Sequence, residues 1–147
     1  QTAKISKNSS FLNRLAIANP NIAPYGKAAK QVLTRLGLWE SYQNKLIIGL
    51  NINQTFQQVR SQAVNAGIVA YSQLMINNLK GFLIPQDYYP PIKQSMVILK
   101  NSKQQANALI FSQYLLSQKT QQRIKTFGYH SISDIAGNAS NNKGSSL

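Results

Sequence analysis

Apolar residues come in short bursts along this chain, broken by Asn, Pro, Gly and Ser, and the bursts are of two kinds. Leu15-Ala16-Ile17-Ala18, Leu46-Ile47-Ile48-Gly49 and Gly67-Ile68-Val69-Ala70-Tyr71 are compact runs of strand length. Between them, Ala28, Ala29, Val32, Leu33 and Leu36 recur at helical spacing, opened by a loop that ends near Tyr25 and closed by Gly37. A short helical turn is predicted over residues 39–43, and Phe56, Val59 and Ala63 mark a helix capped by Asn51 or Asn53. Ser72 is predicted to cap a short helix over 73–76. The order to this point is β-α-β-α-β-α, the pattern of an α/β domain with mainly parallel strands, whose ligands bind outside the carboxyl ends of the strands. Farther on, residues 81–85 and 92–99 are predicted as strands, and the prolines at 90 and 91 make 87–91 an extended or turning segment. Residues 103–116 are predicted as an amphipathic helix with Ala106, Leu109, Ile110, Tyr114 and Leu115 near one face, and 118–127 as a second helix. The first ten residues are polar, and 137–147 are rich in Asn, Ser and Gly, the composition of a disordered tail.

Composition narrows the chemistry. The 147 residues are enough for one domain or parts of two, and no apolar run approaches the ~18 residues of a membrane span. There is no cysteine, which excludes disulfides, thiolate zinc, iron–sulfur clusters and cysteine nucleophiles together. The chain opens on Gln1 with no basic-then-apolar leader, as expected of a mature product or a piece of a longer polypeptide. Sixteen Lys and Arg face three acids, Glu40, Asp87 and Asp134, for a net charge of +13. Such a balance attracts anions of any kind, whereas three carboxylates and one histidine are a thin supply for acid–base or metal chemistry. His130, with no second imidazole or acid near it in sequence, is expected to be an exposed bystander, and an enzyme is disfavoured.

No phosphate-binding glycine loop, nucleophile elbow or zinc motif is present. The basic residues are scattered, so a solvated basic surface outweighs a nucleic-acid footprint. Tyr88 and Tyr89 with Lys93 suit base stacking no better than a structural crossover, and Trp39 reads as a core anchor. The two loops that lead from a strand into a helix, Ala23-Pro24-Tyr25-Gly26 and Asn51-Ile52-Asn53, deliver the N–H groups of a helix start, which are natural ligands for an anion.

Ile17-Ala18-Asn19-Pro20 with Ala23-Pro24-Tyr25-Gly26-Lys27-Ala28-Ala29, then Leu36-Gly37-Leu38-Trp39, Lys45-Leu46 and Asn51-Ile52, closely resembles the molybdate-binding proteins of bacterial ABC importers. The likeness runs on through Ala66-Gly67-Ile68-Val69-Ala70-Tyr71-Ser72-Gln73, Ile84-Pro85, Tyr89-Pro90-Pro91-Ile92-Lys93-Gln94 and Phe127-Gly128-Tyr129. The resemblance implies an α/β, periplasmic binding protein-like (type II) fold of two lobes, with the N-terminal part of the first lobe absent from this chain. Residues 1–80 would then be the second lobe, 81–91 the crossover and hinge, 92–130 the C-terminal elements of the first lobe, and 131–147 a disordered tail. It implies molybdate or tungstate as ligand, held in the cleft between lobes by neutral hydrogen-bond donors that reach the metal only through its oxygens, with no cofactor and no direct metal ligand. By motif, the backbone N–H groups of Tyr25 and Ile52 would face the oxyanion. Some relatives use a tyrosine hydroxyl in the Gly-Ile-Val stretch; Ala70 stands at that place and Tyr71 one residue on, which makes Tyr71 a further candidate whose side chain, in a strand, would point to the opposite face. The resemblance also implies a monomer in the periplasm or cell envelope that works with an inner-membrane ABC permease, with no nucleic-acid partner. Two other readings remain open: a protein of the same fold for another tetrahedral oxyanion such as sulfate, and a basic nucleic-acid-binding module.

Overall fold

Leu15–Ala18, strand β1, has every residue buried, and this follows from its place in the sheet. It is the middle strand of three, in the order β2-β1-β3, and both neighbours run parallel to it. Strand β2 is Leu46–Gly49, with Leu15 opposite Leu46 and Ala18 opposite Gly49; strand β3 is Ala66–Gly67, with Ala16 opposite Gly67. A parallel strand flanked on both sides has no polar face to offer, which is why the run Leu-Ala-Ile-Ala carries no polar residue. The computed structural model describes residues 12–131. The first ten residues and all of the expected tail but Ser131, which is buried, lie outside them.

Helix α1, Pro24–Arg35, connects β1 to the turn that feeds β2. Pro24 sits at its first position, where the missing N–H costs nothing. At its far end Gly37 adopts φ 67, and two backbone bonds close the helix: Gly37 N–H to Thr34 O at 2.9 Å and Leu38 N–H to Leu33 O at 2.8 Å. This is the Schellman arrangement, and its usual apolar contact is present, since Leu33 and Leu38 both belong to the buried cluster with Leu12, Leu15, Ile17, Ala29 and Tyr42. The short helix α2, Trp39–Tyr42, follows, and Trp39 packs half-buried against that cluster with the Lys30 ammonium 5.0 Å from its ring centre. Helix α3, Ile52–Arg60, returns from β2 and buries Thr55 and Phe56.

The last of these units differs from the sequence expectation. Strand β3 stops at Gly67, and Tyr71 is the first residue of helix α4, Tyr71–Ile76, instead of the end of a strand. The Ile68 N–H still bonds to Ala16 O at 2.9 Å, but the Ala70 N–H is taken by the side chain of Gln73 at 3.1 Å, which turns the chain into the helix. Ser72 does not cap α4: it is the second helical residue and is buried, and Ala70 holds the cap position.

Residues 81–85 and 92–99 form no strand. A strand exists by its ladder, and among the described residues neither segment has a neighbour to pair with; Phe82 and Val97 are 72% and 82% exposed. The chain divides into two compact units at Lys93 and Gln94. The described part of the second holds helices α5, Gln105–Leu116, and α6, Gln118–Lys125, the latter capped by the Ser117 hydroxyl. The single apolar face predicted for α5 is not found, because Leu109, Ile110, Phe111 and Tyr114 surround the helix and all are exposed.

Candidate oxyanion site

Parallel strands send their carboxyl ends to one edge of a sheet, and the helices that follow begin there. Helix α1 follows β1, α3 follows β2 and α4 follows β3, so Tyr25, Ile52 and Tyr71 all stand at that edge. The first two come from adjacent strands. The first residue beyond β1 is held to the end of β2 by a bond from the Asn19 N–H to Gly49 O at 2.8 Å, which closes the last pair of the ladder, Ala18 with Gly49. Tyr25 and Ile52 are half-buried and Tyr71 is 43% exposed.

Each helix start is built by the residues around it. At α1, Gly26 lies against the end of β1 so closely that a Cβ there would overlap Ala18 O and the Asn19 backbone. Only glycine lets the first turn of α1 approach the strand in this way. Asn19 adds its side chain, which accepts from the Asn21 N–H at 2.9 Å, and its carbonyl, which accepts from the Ala23 N–H at 2.9 Å. The connection is thereby folded tightly before Pro24 begins the helix.

At α3 the cap is Asn51. Its side-chain oxygen accepts from the Gln54 N–H at 2.9 Å, and the Gln54 side chain reaches back to the Leu50 N–H at 2.6 Å. This is a reciprocal arrangement of the capping-box kind, displaced by one residue. The buried Thr55 donates its hydroxyl to Asn51 O at 3.0 Å, and a Cβ on Gly49 would stand 2.6 Å from that same hydroxyl. With the third N–H of the helix satisfied by the cap, the first, that of Ile52, has no acceptor among the described residues. It remains available to an external one.

The other residues considered from sequence lie elsewhere or act structurally. His130 is exposed. Tyr88 faces the Arg35 guanidinium, 5.8 Å from its ring centre, in a shallow groove at the C-terminal end of α1, the opposite end of that helix from Tyr25. Among the described residues no three His, Cys, Asp or Glu side chains gather as a metal site. Sequence reasoning missed Gln73, whose side chain reaches from α4 to the first turn of α3. Its signal was present as a Gln three residues after Ala70, the place of the back-reaching residue of a capping box.

Comparison with known proteins decides the family. The model of the bacterial extracellular solute-binding proteins matches residues 2–130. The chain belongs to this family. Within the solute-binding proteins it is 40% identical over 133 residues to the molybdate-binding protein ModA of Azotobacter vinelandii, a match over 88% of this chain and 52% of that one. It is 36% identical over 119 residues to ModA of Rhodobacter capsulatus, covering 80% of this chain and 47% of the relative. The solved periplasmic molybdate-binding protein of A. vinelandii superposes with a TM-score of 0.75 at 37% identity, over 80% of this chain and 54% of that structure. The solute-binding chain described here therefore has the periplasmic binding-protein α/β fold, and it spans about half the length of the curated relatives it matches. No helix among the described residues is long and apolar enough to cross a membrane.

Proposed function

We propose that this protein captures molybdate, and tungstate with it, for a bacterial ABC importer, and passes the ion unchanged to an inner-membrane permease. The observation that carries the reading is the pair of helix starts on adjacent parallel strands, Tyr25 on α1 and Ile52 on α3, in a chain whose relatives are named for binding molybdate. A tetrahedral dianion needs donors and no counter-charge. Each N–H bond to it contributes about 1.5–3 kcal/mol, whereas the dipole of a helix start adds only about 0.3–1. Direct bonds dominate, and the surface charge steers at most, since salt screens it beyond ~8 Å. Two such bonds give a gross ~3–6 kcal/mol before association costs, against ~4 kcal/mol for a millimolar complex. The described edge supplies weak capture on its own, and tight capture requires donors beyond Tyr25 and Ile52.

The test is an amide NMR titration of the full chain with sodium molybdate, tungstate and sulfate into the millimolar range. The Tyr25 and Ile52 amide signals are expected to move with the first two and little with sulfate. Ile52→Pro is the deciding variant. Proline is accommodated at the first helical position, and the extended Asn51 before it, at φ −149 and ψ 175, suits a pre-proline residue, so the change removes the N–H and little else. Tyr25→Ala keeps its N–H and is expected to keep most of the binding, while Tyr25→Pro loses it. Undiminished binding by Ile52→Pro, or sulfate displacing molybdate at equal concentration, overturns the reading.

A further inference from the structure

Helices α3 and α4 leave the sheet from β2 and β3, which lie on opposite sides of β1, so the strand ladder does not by itself set one helix start against the other. At their far ends the two helices are joined by the Arg60 guanidinium, which donates to Asn77 Oδ1 at 3.0 Å, and at their starts by the Gln73 side chain. Gln73, half-buried in the first turn of α4, accepts from the Ala70 N–H through Oε1 at 3.1 Å. Through Nε2 it donates to Asn53 Oδ1 at 2.9 Å and to the Ile52 carbonyl oxygen at 3.3 Å. The orientation of the amide follows from these partners: turned over, its oxygen would face two oxygens and its NH2 an N–H. The Ile52 carbonyl belongs to the peptide immediately after the Ile52 N–H, so the bond restrains the residue that presents the donor.

We propose that Gln73 is the positioning residue of the oxyanion site, holding the first turn of α3 so that the Ile52 N–H stays aimed across the sheet edge, and locking that turn to the start of α4, where Tyr71 stands. The inference rests on the reading of the site given above. Gln73 touches no ligand in this role and acts through Ile52 and Asn53. Loss of its amide leaves the fold and the N–H in place but lets the turn fray, which reduces the fraction of molecules with the donor correctly aimed.

The experiment is the same molybdate titration of the full chain, read at the Tyr25 and Ile52 amides, and at Tyr25 alone for Ile52→Pro, with melting temperatures taken without ligand. Gln73→Ala is expected to bind about fivefold more weakly, the worth of roughly one neutral hydrogen bond, with a fall in melting temperature of the size that Asn51→Ala shows, whereas Asn51→Ala keeps the Gln73 contact and binds more tightly than Gln73→Ala. Gln73→Glu, which keeps the acceptor for Ala70 but loses both donors, is expected to be at least as weak. Adding Asn53→Ala to Gln73→Ala should cost nothing further, because the two act through one contact. Wild-type affinity in Gln73→Ala, while Ile52→Pro has lost binding, refutes the positioning role and leaves the site reading intact. Full affinity in Ile52→Pro refutes the site and the positioning role with it. If Gln73→Ala fails to fold, Asn53→Ala alone decides: weakened binding at unchanged melting temperature supports the role, and unchanged binding overturns it.

Discussion

The two units of this chain differ in how far their apolar residues are covered. In the first, Ile17 and Leu33 have no exposed surface, and the apolar runs of β1 and α1 are covered by β2, β3 and α2. In the described part of the second, Met96, Val97, Leu99, Ile110 and Phe111 are all substantially exposed, and only Thr120 and Ser131 are buried. The difference lies in pairing. A run such as Leu15-Ala16-Ile17-Ala18 is buried because a ladder on each side and a helix over it remove it from water, whereas Met96-Val97-Ile98-Leu99 has no ladder among the described residues. Apolar composition supplies the driving force for burial, and topology decides which residues receive it.

The comparison can be broken by substitution. Its largest test is Leu33→Ala, which empties a fully buried position and is expected to cost about 2–5 kcal/mol in urea unfolding. A cost near zero would mean that the cluster around Tyr42 is not the core in solution. Next is Gly26→Val, which forces α1 away from Ala18 and should cost about 1–3 kcal/mol and abolish oxyanion binding as well. Asn51→Ala removes one cap and should lower stability by about 1 kcal/mol, with the loss of protection in hydrogen exchange confined to the first turn of α3. Smallest is Phe111→Ser, 60% exposed in α5, expected to stay within about 0.5 kcal/mol. A loss comparable with that of Leu33→Ala would show that α5 is buried in solution and would erase the contrast.

What sequence could and could not foretell follows the same division. The strands Leu15–Ala18 and Leu46–Gly49, the helix closed by Gly37 and the cap at Asn51 were legible because their signals are local: a strand-length apolar run, a positive-φ glycine and a side chain bonding three residues ahead. Their parallel order was legible too, since strand and helix alternate and parallel strands need a crossover. The end of β3 was not, because the competitor for the Ala70 N–H is a side chain whose reach does not register in a pattern of apolar residues. The strands expected at 81–85 and 92–99 failed for a non-local reason, the lack of a partner among the described residues. Of the candidate site, Tyr25 and Ile52 were reachable from motif, and the fold brings them to one edge; Gln73 depends on a contact spanning 20 residues to Asn53 and needed coordinates.

The bond between the Asn19 N–H and Gly49 O ties the first residue past β1 to the last residue of β2. The backbone that leads into α1 is therefore set at the spacing of paired strands, ~4.8 Å from β2, before any side chain of the two helix starts adds its own restraint. A frame made of ladder bonds is stiffer than one made of side chains, because each of its bonds is held by the next along the strand. Reshaping this edge would require altering the backbone that frames it, whereas repainting the surface around it would leave the frame unchanged.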